Sequence, residues 1–330
     1  IVVVFPFEHL PGYLGASAIF LSRILQGIAI SIEYGAAITY VYETVPKNKT
    51  GFFTGVIQAT APLGFLSAMV VLFLTKQTFT EELYNNYFWR FPLFIGAILF
   101  FFSYKIRNEL PESPAFSKVK SRLEVVANPL KEVFQKENLK KMIFAVFALC
   151  GVQGVTYYFS HSFIRILLES YFQASHSTSL FFLISIITLI WPIGLIVAHK
   201  SDSVGTRKLL TILLTLLLIF FPIFINIISG YNKADSIWIA FGPVAIIYAL
   251  SIALYSITGK FLADLFPEQI RGTGISIPYH IGNGVFGGLI TLIANIKTVN
   301  NENYDFVIGY ILVTILISLM VNLFFFKNRA

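Results

Sequence analysis

The sequence predicts an all-α polytopic membrane protein, and three observations support that fold class. Hydrophobic residues make up 56% of the 330 residues and charged residues only 12%, whereas soluble domains carry about 25% charged residues. The mean hydropathy is +0.75. Nine apolar segments also have about the 20 residues that a helix needs to cross a bilayer. A chain with so little polar surface must expose much of its exterior to lipid.

Polar connections separate the predicted spans. In chain order the spans cover residues 14–42, 52–75, 89–106, 142–165, 178–198, 209–228, 237–259, 272–296 and 306–326. The apolar stretch 1–7 is too short to span, and without a basic region before it we expect the end of a further helix, not a signal peptide. The longest connection, 105–141, mixes charges of both signs with three prolines. The single cysteine, Cys150, excludes a disulfide framework and a zinc cluster.

The basic residues predict the orientation of the chain in the membrane. When the nine spans alternate, 18 of the 24 Lys and Arg residues lie on one side, five lie on the other, and Arg23 lies within a span. Basic residues favour the cytoplasmic side, so that side should hold the connections 43–51, 105–141, 199–208 and 260–271 and the C-terminus. The net charge of +7 is then a signal of topology, and we expect no nucleic-acid partner.

The chain contains an internal repeat. Two polar connections carry an acid, a proline and a glycine at identical spacing, 221 residues apart: Glu43, Pro46 and Gly51, then Asp264, Pro267 and Gly272. This offset pairs the first three spans with the last three and leaves residues 142–228 without partners. If the two halves are equal, about 80 residues that carry most of three helices would precede Ile1.

Four stretches carry a resemblance to a known family: residues 23–35, Trp89–Pro92, Glu112–Phe116 and Ala198–Lys208. Together they resemble the metabolite:proton symporter branch of the major facilitator superfamily, which includes proline/betaine and α-ketoglutarate permeases. The chain departs from that pattern where Ser31 and Ile32 replace a glycine pair, Ala198 replaces a glycine and Ser203 replaces a basic residue. The first-half copy of the Ala198–Lys208 motif is absent.

The resemblance implies a major-facilitator fold with two parallel six-helix halves, the first of them truncated. Residues 1–106 would be the N-terminal half, with part of the third helix and helices 4–6. Residues 107–141 would be a cytoplasmic linker, and residues 142–330 the C-terminal half with helices 7–12. We expect a monomeric multi-pass protein of the bacterial inner membrane with a cytoplasmic C-terminus.

The implied activity is secondary active transport, most simply proton-coupled import of a small metabolite or osmolyte such as proline, betaine or a carboxylate. The partners would be that solute, H⁺ and the bilayer, with the proton gradient as energy source and no cofactor or metal. The alternatives are a sugar-porter-like transporter and a truncated gene product that inserts but does not transport. An enzyme is disfavoured because no paired catalytic residues stand out.

Polar side chains within spans are the candidates for substrate binding and proton coupling, because a charge inside a membrane is costly and needs a polar cavity or partner. Arg23 and Gln26 share a helix face, and Glu33 is a protonatable group; both charges could instead belong to structural networks. Gln153, Tyr157 and His161 step by four and form one polar stripe. Further candidates are Tyr255 and Asn283, although membrane tyrosines often only pack, and Arg165 is expected at the interface.

A second group of candidates lies in the cytoplasmic connections. The resemblance implies that Asp202, Gly205, Arg207 and Lys208 belong to a motif that forms ion pairs at helix ends. Glu43, Asp264 and Arg271 would be further members of this gate. The other interpretation is the ordinary positive charge of cytoplasmic loops. The GxxxG pairs Gly51–Gly55 and Gly284–Gly288 predict close helix packing.

Overall fold

The computed structural model describes residues 11–109, 111–121, 126–230, 236–299 and 304–327. In this part of the chain nine helices are long and apolar enough to cross a membrane. They are α1 (Gly12–Thr44), α2 (Lys47–Thr78), α3 (Phe88–Ile106), α4 (Lys136–Phe172), α5 (His176–Val204), α6 (Thr206–Ser229), α7 (Ile237–Ala263), α8 (Arg271–Ile296) and α9 (Asp305–Phe324). All nine predicted spans coincide with these helices. The expected helix end at residues 1–7 lies outside the described residues.

The connections contain short helices, and two of them begin at a side-chain cap. Glu81–Asn86 precedes α3, and its Thr80 cap accepts a hydrogen bond from the Leu83 backbone amide. Pro114–Ser121 and Pro129–Val133 lie in the long connection before α4, and the Asn128 side chain caps the second of these. Side-chain caps satisfy amides that a helix start leaves without a partner inside the helix, so Glu81–Asn86 and Pro129–Val133 have defined beginnings.

The turn between α5 and α6 depends on a glycine. Gly205 ends α5 with φ of +91°, a region that residues with a Cβ rarely adopt. The next helix begins at Thr206, directly after it. The tight reversal that the sequence predicts at Gly205 is therefore present.

The core lies mainly in the C-terminal half, around α4. In α4, 78% of an apolar 18-residue stretch is buried inside the protein, whereas the corresponding stretches are 6% buried in α1 and 0% buried in α3. The first half contacts the second through two helices: α1 packs against α8, and α2 packs against α5 and α7. This interface between the halves is where the candidate site lies.

Two of the central helices contain π-helical turns, at Phe159–Phe163 in α4 and Ile281–Gly287 in α8. Such turns widen the helix locally and often occur at functional sites. The closest approach of α4 and α8 lies before the first of these turns and within the second. A Cβ built on Gly154 would lie 2.3 Å from the Gly282 carbonyl oxygen, and one on Gly282 would lie 2.2 Å from the Cys150 carbonyl oxygen.

The prediction that Gly284 and Gly288 mediate close packing is wrong. A Cβ built on either glycine meets no atom within 4 Å. The π-helical turn changes the angular spacing along α8, so that Gly282 and Gly287 face α4 instead. A regular helical period applied to the sequence could not locate this change.

Candidate functional site

The polar stripe of α4 faces the interior and forms the first part of the site. Gln153 is fully buried and exchanges amide hydrogen bonds with Asn283 of α8, at 3.1 Å and 3.4 Å. The rings of Tyr157 and His161 stack with their centroids 3.9 Å apart. The step of four in the sequence therefore brings these side chains together, and the α8 turn supplies the partner of Gln153.

The hydrogen bonds of His161 indicate which of its ring nitrogens carries the proton. Nδ1 lies 2.9 Å from the Tyr157 carbonyl oxygen, which only accepts, so Nδ1 must donate. Nε2 lies 2.9 Å from the Tyr248 hydroxyl, which then donates to it in the neutral ring. His161 is only 3% exposed. In the neutral imidazole the Nε2 lone pair is therefore the single position for a further proton.

A cluster of tyrosines joins α1 and α2 to the C-terminal half. The Tyr34 and Tyr279 rings stack at 3.6 Å, and the hydroxyls of Tyr255 and Tyr279 lie 3.0 Å apart. The Tyr157 and Tyr255 ring centroids are 4.8 Å apart. Gln58 of α2 donates to the Tyr255 carbonyl oxygen at 2.9 Å. These contacts continue the polar stripe across the interface between the two halves.

We define the central polar layer as these two groups together: Tyr34, Gln58, Gln153, Tyr157, His161, Tyr248, Tyr255, Tyr279 and Asn283. Three buried polar atoms at or beside it, the Tyr34 hydroxyl oxygen, Gln58 Oε1 and His280 Nε2, have no hydrogen-bond partner among the described residues. Because a buried unpaired polar atom is costly, it is a candidate contact for a polar ligand. Aromatic faces and amides suit a small zwitterion or an ammonium group.

Sequence reasoning did not identify Tyr34 or Gln58 as members of this layer. Gln58 carried a signal, since it is the only amide in the predicted span 52–75, and it is 1% exposed in the structure. Tyr34 gave no such signal, because its role depends on stacking with a residue 245 positions away in the chain. Tyr248 also enters the layer only through its contact with His161.

The three candidates on α1 lie apart from the layer. Arg23 donates to the Gln26 side chain at 2.8 Å, which confirms their shared face, and both residues are exposed. Glu33 borders a cavity of about 730 Å³ together with Tyr40 and Phe102. None of the three makes a hydrogen bond or ion pair with the layer in the described part of the chain. Their roles in transport stay predictions.

The candidates in the connections form a second site at one end of the bundle. Arg271 Nη1 and Glu43 Oε1 are 2.5 Å apart, and the side chains are only 11% and 4% exposed. Ser113 of the long connection donates to the other oxygen of Glu43 at 2.6 Å. Arg271 also lies over the Tyr42 ring at 5.0 Å. This ion pair joins the end of α1 to the beginning of α8.

Asp202 makes a second connection between the halves. Its two carboxylate oxygens accept from the backbone amides of Gly51 and Phe52, at 2.7 Å and 2.9 Å. These amides lie at the start of α2, where the helix dipole also favours a negative charge. The Asp202 carboxylate therefore acts as the cap of a helix in the other half.

Asp264 makes the third connection. It accepts from the Tyr42 hydroxyl at 2.6 Å and lies 3.4 Å from Lys260 Nζ. Glu43, Asp202, Asp264 and Arg271 are called the gate cluster. The Arg207 and Lys208 side chains make no hydrogen bond or ion pair with the residues that the structure describes, whereas Asp202 of the same motif does.

The two copies of the repeat meet in the gate cluster. Glu43 belongs to the first copy and pairs with Arg271 of the second, and Asp264 of the second copy contacts Tyr42 beside the first. Both copies therefore lie at the same end of the bundle, as the repeat predicts. Ser113 places the long connection at that end as well.

Comparison with known proteins identifies the family. The model of the Major Facilitator Superfamily matches residues 3–291. An alpha-ketoglutarate permease of Escherichia coli (strain K12) is 26% identical over 324 residues, which cover 95% of this chain and 72% of that protein. An ectoine/proline transporter of Corynebacterium glutamicum is 25% identical over 291 residues, 83% of this chain and 56% of the relative.

An inner membrane metabolite transport protein of Escherichia coli (strain K12) is 26% identical over 286 residues, 83% of this chain and 63% of that protein. The chain thus spans between 56% and 72% of the length of these three relatives. The family model covers most of the chain, and the membrane helices fit the family's fold. The chain belongs to the Major Facilitator Superfamily of membrane transporters.

Proposed function

We propose that this chain is a secondary active transporter that imports a small metabolite or osmolyte together with protons. The observation that carries the proposal is the central polar layer, which lies between the two halves and is followed at one end by the gate cluster. A polar layer among apolar helices is the kind of place where a membrane transporter binds its solute. The similarity to an alpha-ketoglutarate permease and to an ectoine/proline transporter favours a carboxylate or a zwitterion such as proline.

His161 is the proposed proton acceptor. Protonation of Nε2 would turn this atom into a donor, so the Tyr248 hydroxyl oxygen would accept from it and the hydroxyl hydrogen would have to turn to another acceptor. Proton binding is thereby coupled to the contact between α4 and α7. Tyr34, Gln58 and Asn283 would then hold the solute from both halves.

The gate cluster is the proposed closure of the cytoplasmic end. Release of the solute on that side requires the Glu43–Arg271 pair and the Asp202 cap to separate, because both cross between the halves. The proposed membrane is the bacterial inner membrane, with the C-terminus on the same, cytoplasmic side as the gate cluster.

The membrane potential can supply the energy for transport. One proton crossing 100 mV supplies about 2.3 kcal/mol, enough for roughly fiftyfold accumulation, so a single coupled proton would be sufficient.

Uptake measurements test this function. Cells that produce the protein should accumulate labelled proline, glycine betaine or α-ketoglutarate above cells with an empty vector, and a protonophore should abolish the difference. His161→Gln should remove accumulation at unchanged protein level in the membrane. The control is Tyr104→Phe, because Tyr104 is 58% exposed and lies outside the layer and the gate cluster. Accumulation that persists in His161→Gln would contradict the assigned proton acceptor.

A further inference from the structure

A separate polar cavity lies on the bundle face opposite the gate cluster. It has a volume of about 430 Å³ and lies between Phe65 and Met69 of α2 and the outer parts of α4, α5 and α8. We call it the outer cavity. The gate cluster contacts the beginning of α2, whereas Phe65 and Met69 lie more than three helical turns farther along the same helix. The outer cavity is thus on the other side of the central polar layer.

Arg165 supplies the charge of this cavity. It donates to both carboxylate oxygens of Glu169, at 2.9 Å and 3.1 Å, and its Nη1 lies 3.1 Å from His176 Nδ1. His176 Nδ1 also lies 3.4 Å from Glu169 Oε1, so the three side chains form one cluster at the cavity wall. The Arg165 side chain is still 28% exposed. The expectation that Arg165 lies only at the membrane interface is therefore incomplete, because Arg165 also lines this cavity.

The other polar groups of the outer cavity leave room for an anion. Among the described residues that line the cavity, Arg165 is the only Arg, Lys, Asp or Glu, and its partner Glu169 has a side chain that is 25% exposed. Thr291 Oγ1, on a residue that lines the cavity, is buried without a hydrogen-bond partner in the described part of the chain. His161 and Asn295 line it as well. The cavity therefore combines a guanidinium with an unpaired hydroxyl.

We propose that the outer cavity is a first binding site for solutes that carry a carboxylate, in which the carboxylate takes the place of Glu169 or His176 on Arg165. A carboxylate can accept two parallel hydrogen bonds from two nitrogens of one guanidinium. Glu169 and His176 both contact Arg165 through Nη1 only, so neither forms this two-nitrogen arrangement. His161 borders both this cavity and the central polar layer, so a bound solute lies next to the layer. The proposal rests on the transport function proposed above for its place on the substrate path.

Reaction rates of an introduced cysteine test this site without the need for transport. Ser162→Cys places a thiol at the cavity wall, and the natural Cys150 is fully buried. Each rate is divided by the rate of the same reagent with a small thiol in solution, because a thiolate by itself favours a cationic reagent. On this scale, reaction with the anionic sulfonatoethyl methanethiosulfonate should be faster than reaction with the cationic trimethylammonioethyl reagent of similar size. Adding Arg165→Gln should reduce this ratio roughly threefold to tenfold, the effect of one unit charge within a few ångströms in water.

Glu169→Gln is the matched control, because it changes the same ion pair in the opposite direction. It removes the carboxylate that shares Arg165, so the preference for the anionic reagent should rise. Glycine betaine and α-ketoglutarate should slow the reaction of Ser162→Cys, whereas choline, which has a hydroxyl where betaine has a carboxylate, should not.

The proposal is overturned if the two reagents react equally fast, if Arg165→Gln leaves their ratio unchanged, or if choline protects as well as betaine. These outcomes are independent of uptake. A protein that shows the anionic preference and the betaine protection but accumulates no solute in cells would contradict the transport function and leave the binding site standing.

Discussion

At the scale of single residues, the closest contact between α4 and α8 depends on two glycines. Gly154 and Gly282 bring backbone against backbone, and a Cβ at either position would lie within 2.3 Å of a carbonyl oxygen. A backbone atom cannot move aside as a side chain can. Gly154 and Gly282 are the immediate chain neighbours of Gln153 and Asn283, so this contact also fixes the geometry of the central polar layer.

We therefore expect Gly282→Ala to lower the midpoint of thermal unfolding and to abolish solute uptake. Overpacking of a tight interior typically costs about 1–3 kcal/mol. The control is Gly284→Ala, two residues away on the same helix, because a Cβ there meets nothing within 4 Å. Thermal unfolding of the detergent-solubilised variants distinguishes the two. Equal midpoints for both variants would show that the α4–α8 contact is looser than the structure indicates.

At the scale of elements, the π-helical turn of α4 presents His161 to α7. Tyr248 is fully buried, and its hydroxyl is the partner of His161 Nε2. Tyr248→Phe would leave that nitrogen buried and unpaired, which costs about 1–3 kcal/mol. We expect a lower unfolding midpoint and impaired proton-driven uptake. Tyr13→Phe is the control, because Tyr13 is 73% exposed. An unchanged midpoint for Tyr248→Phe would indicate that water replaces the lost hydroxyl.

The elements themselves were predictable from the sequence, and the site was predictable in part. The length of the apolar segments and the polar connections between them located all nine membrane helices, because a bilayer requires a similar minimum length of every span. The step of four located Gln153, Tyr157 and His161. Their partners could not be found in this way, since a pair such as Tyr34 and Tyr279 depends on how distant helices pack and where a π-helical turn shifts the register.

At the scale of the whole molecule, the gate cluster holds the two halves together at one end. Removing one partner of a buried ion pair costs about 3–5 kcal/mol, because the other charge stays buried without compensation. Glu43→Gln should therefore lower the unfolding midpoint clearly. Glu33→Gln is the matched control on the same helix, because Glu33 is exposed and makes no ion pair with the described residues.

A double-mutant cycle separates the pair itself from its surroundings. Once Glu43→Gln is present, Arg271→Gln should cost less than it does alone, because the two changes remove the same interaction. Strictly additive effects of the two substitutions would contradict an energetic role for the pair.

The final prediction concerns the orientation of the whole bundle. The gate cluster, Ser113 and the segment that follows it lie at one end, and the excess of basic residues predicts that this end is cytoplasmic. Ser117 is exposed in that segment, and Glu82 is exposed at the opposite end. In intact cells a membrane-impermeant thiol reagent should label Glu82→Cys and leave Ser117→Cys unlabelled, whereas both should react after permeabilisation. Labelling of Ser117→Cys in intact cells would reverse the topology, place the gate cluster outside, and turn the outer cavity into the cytoplasmic exit of the same pathway.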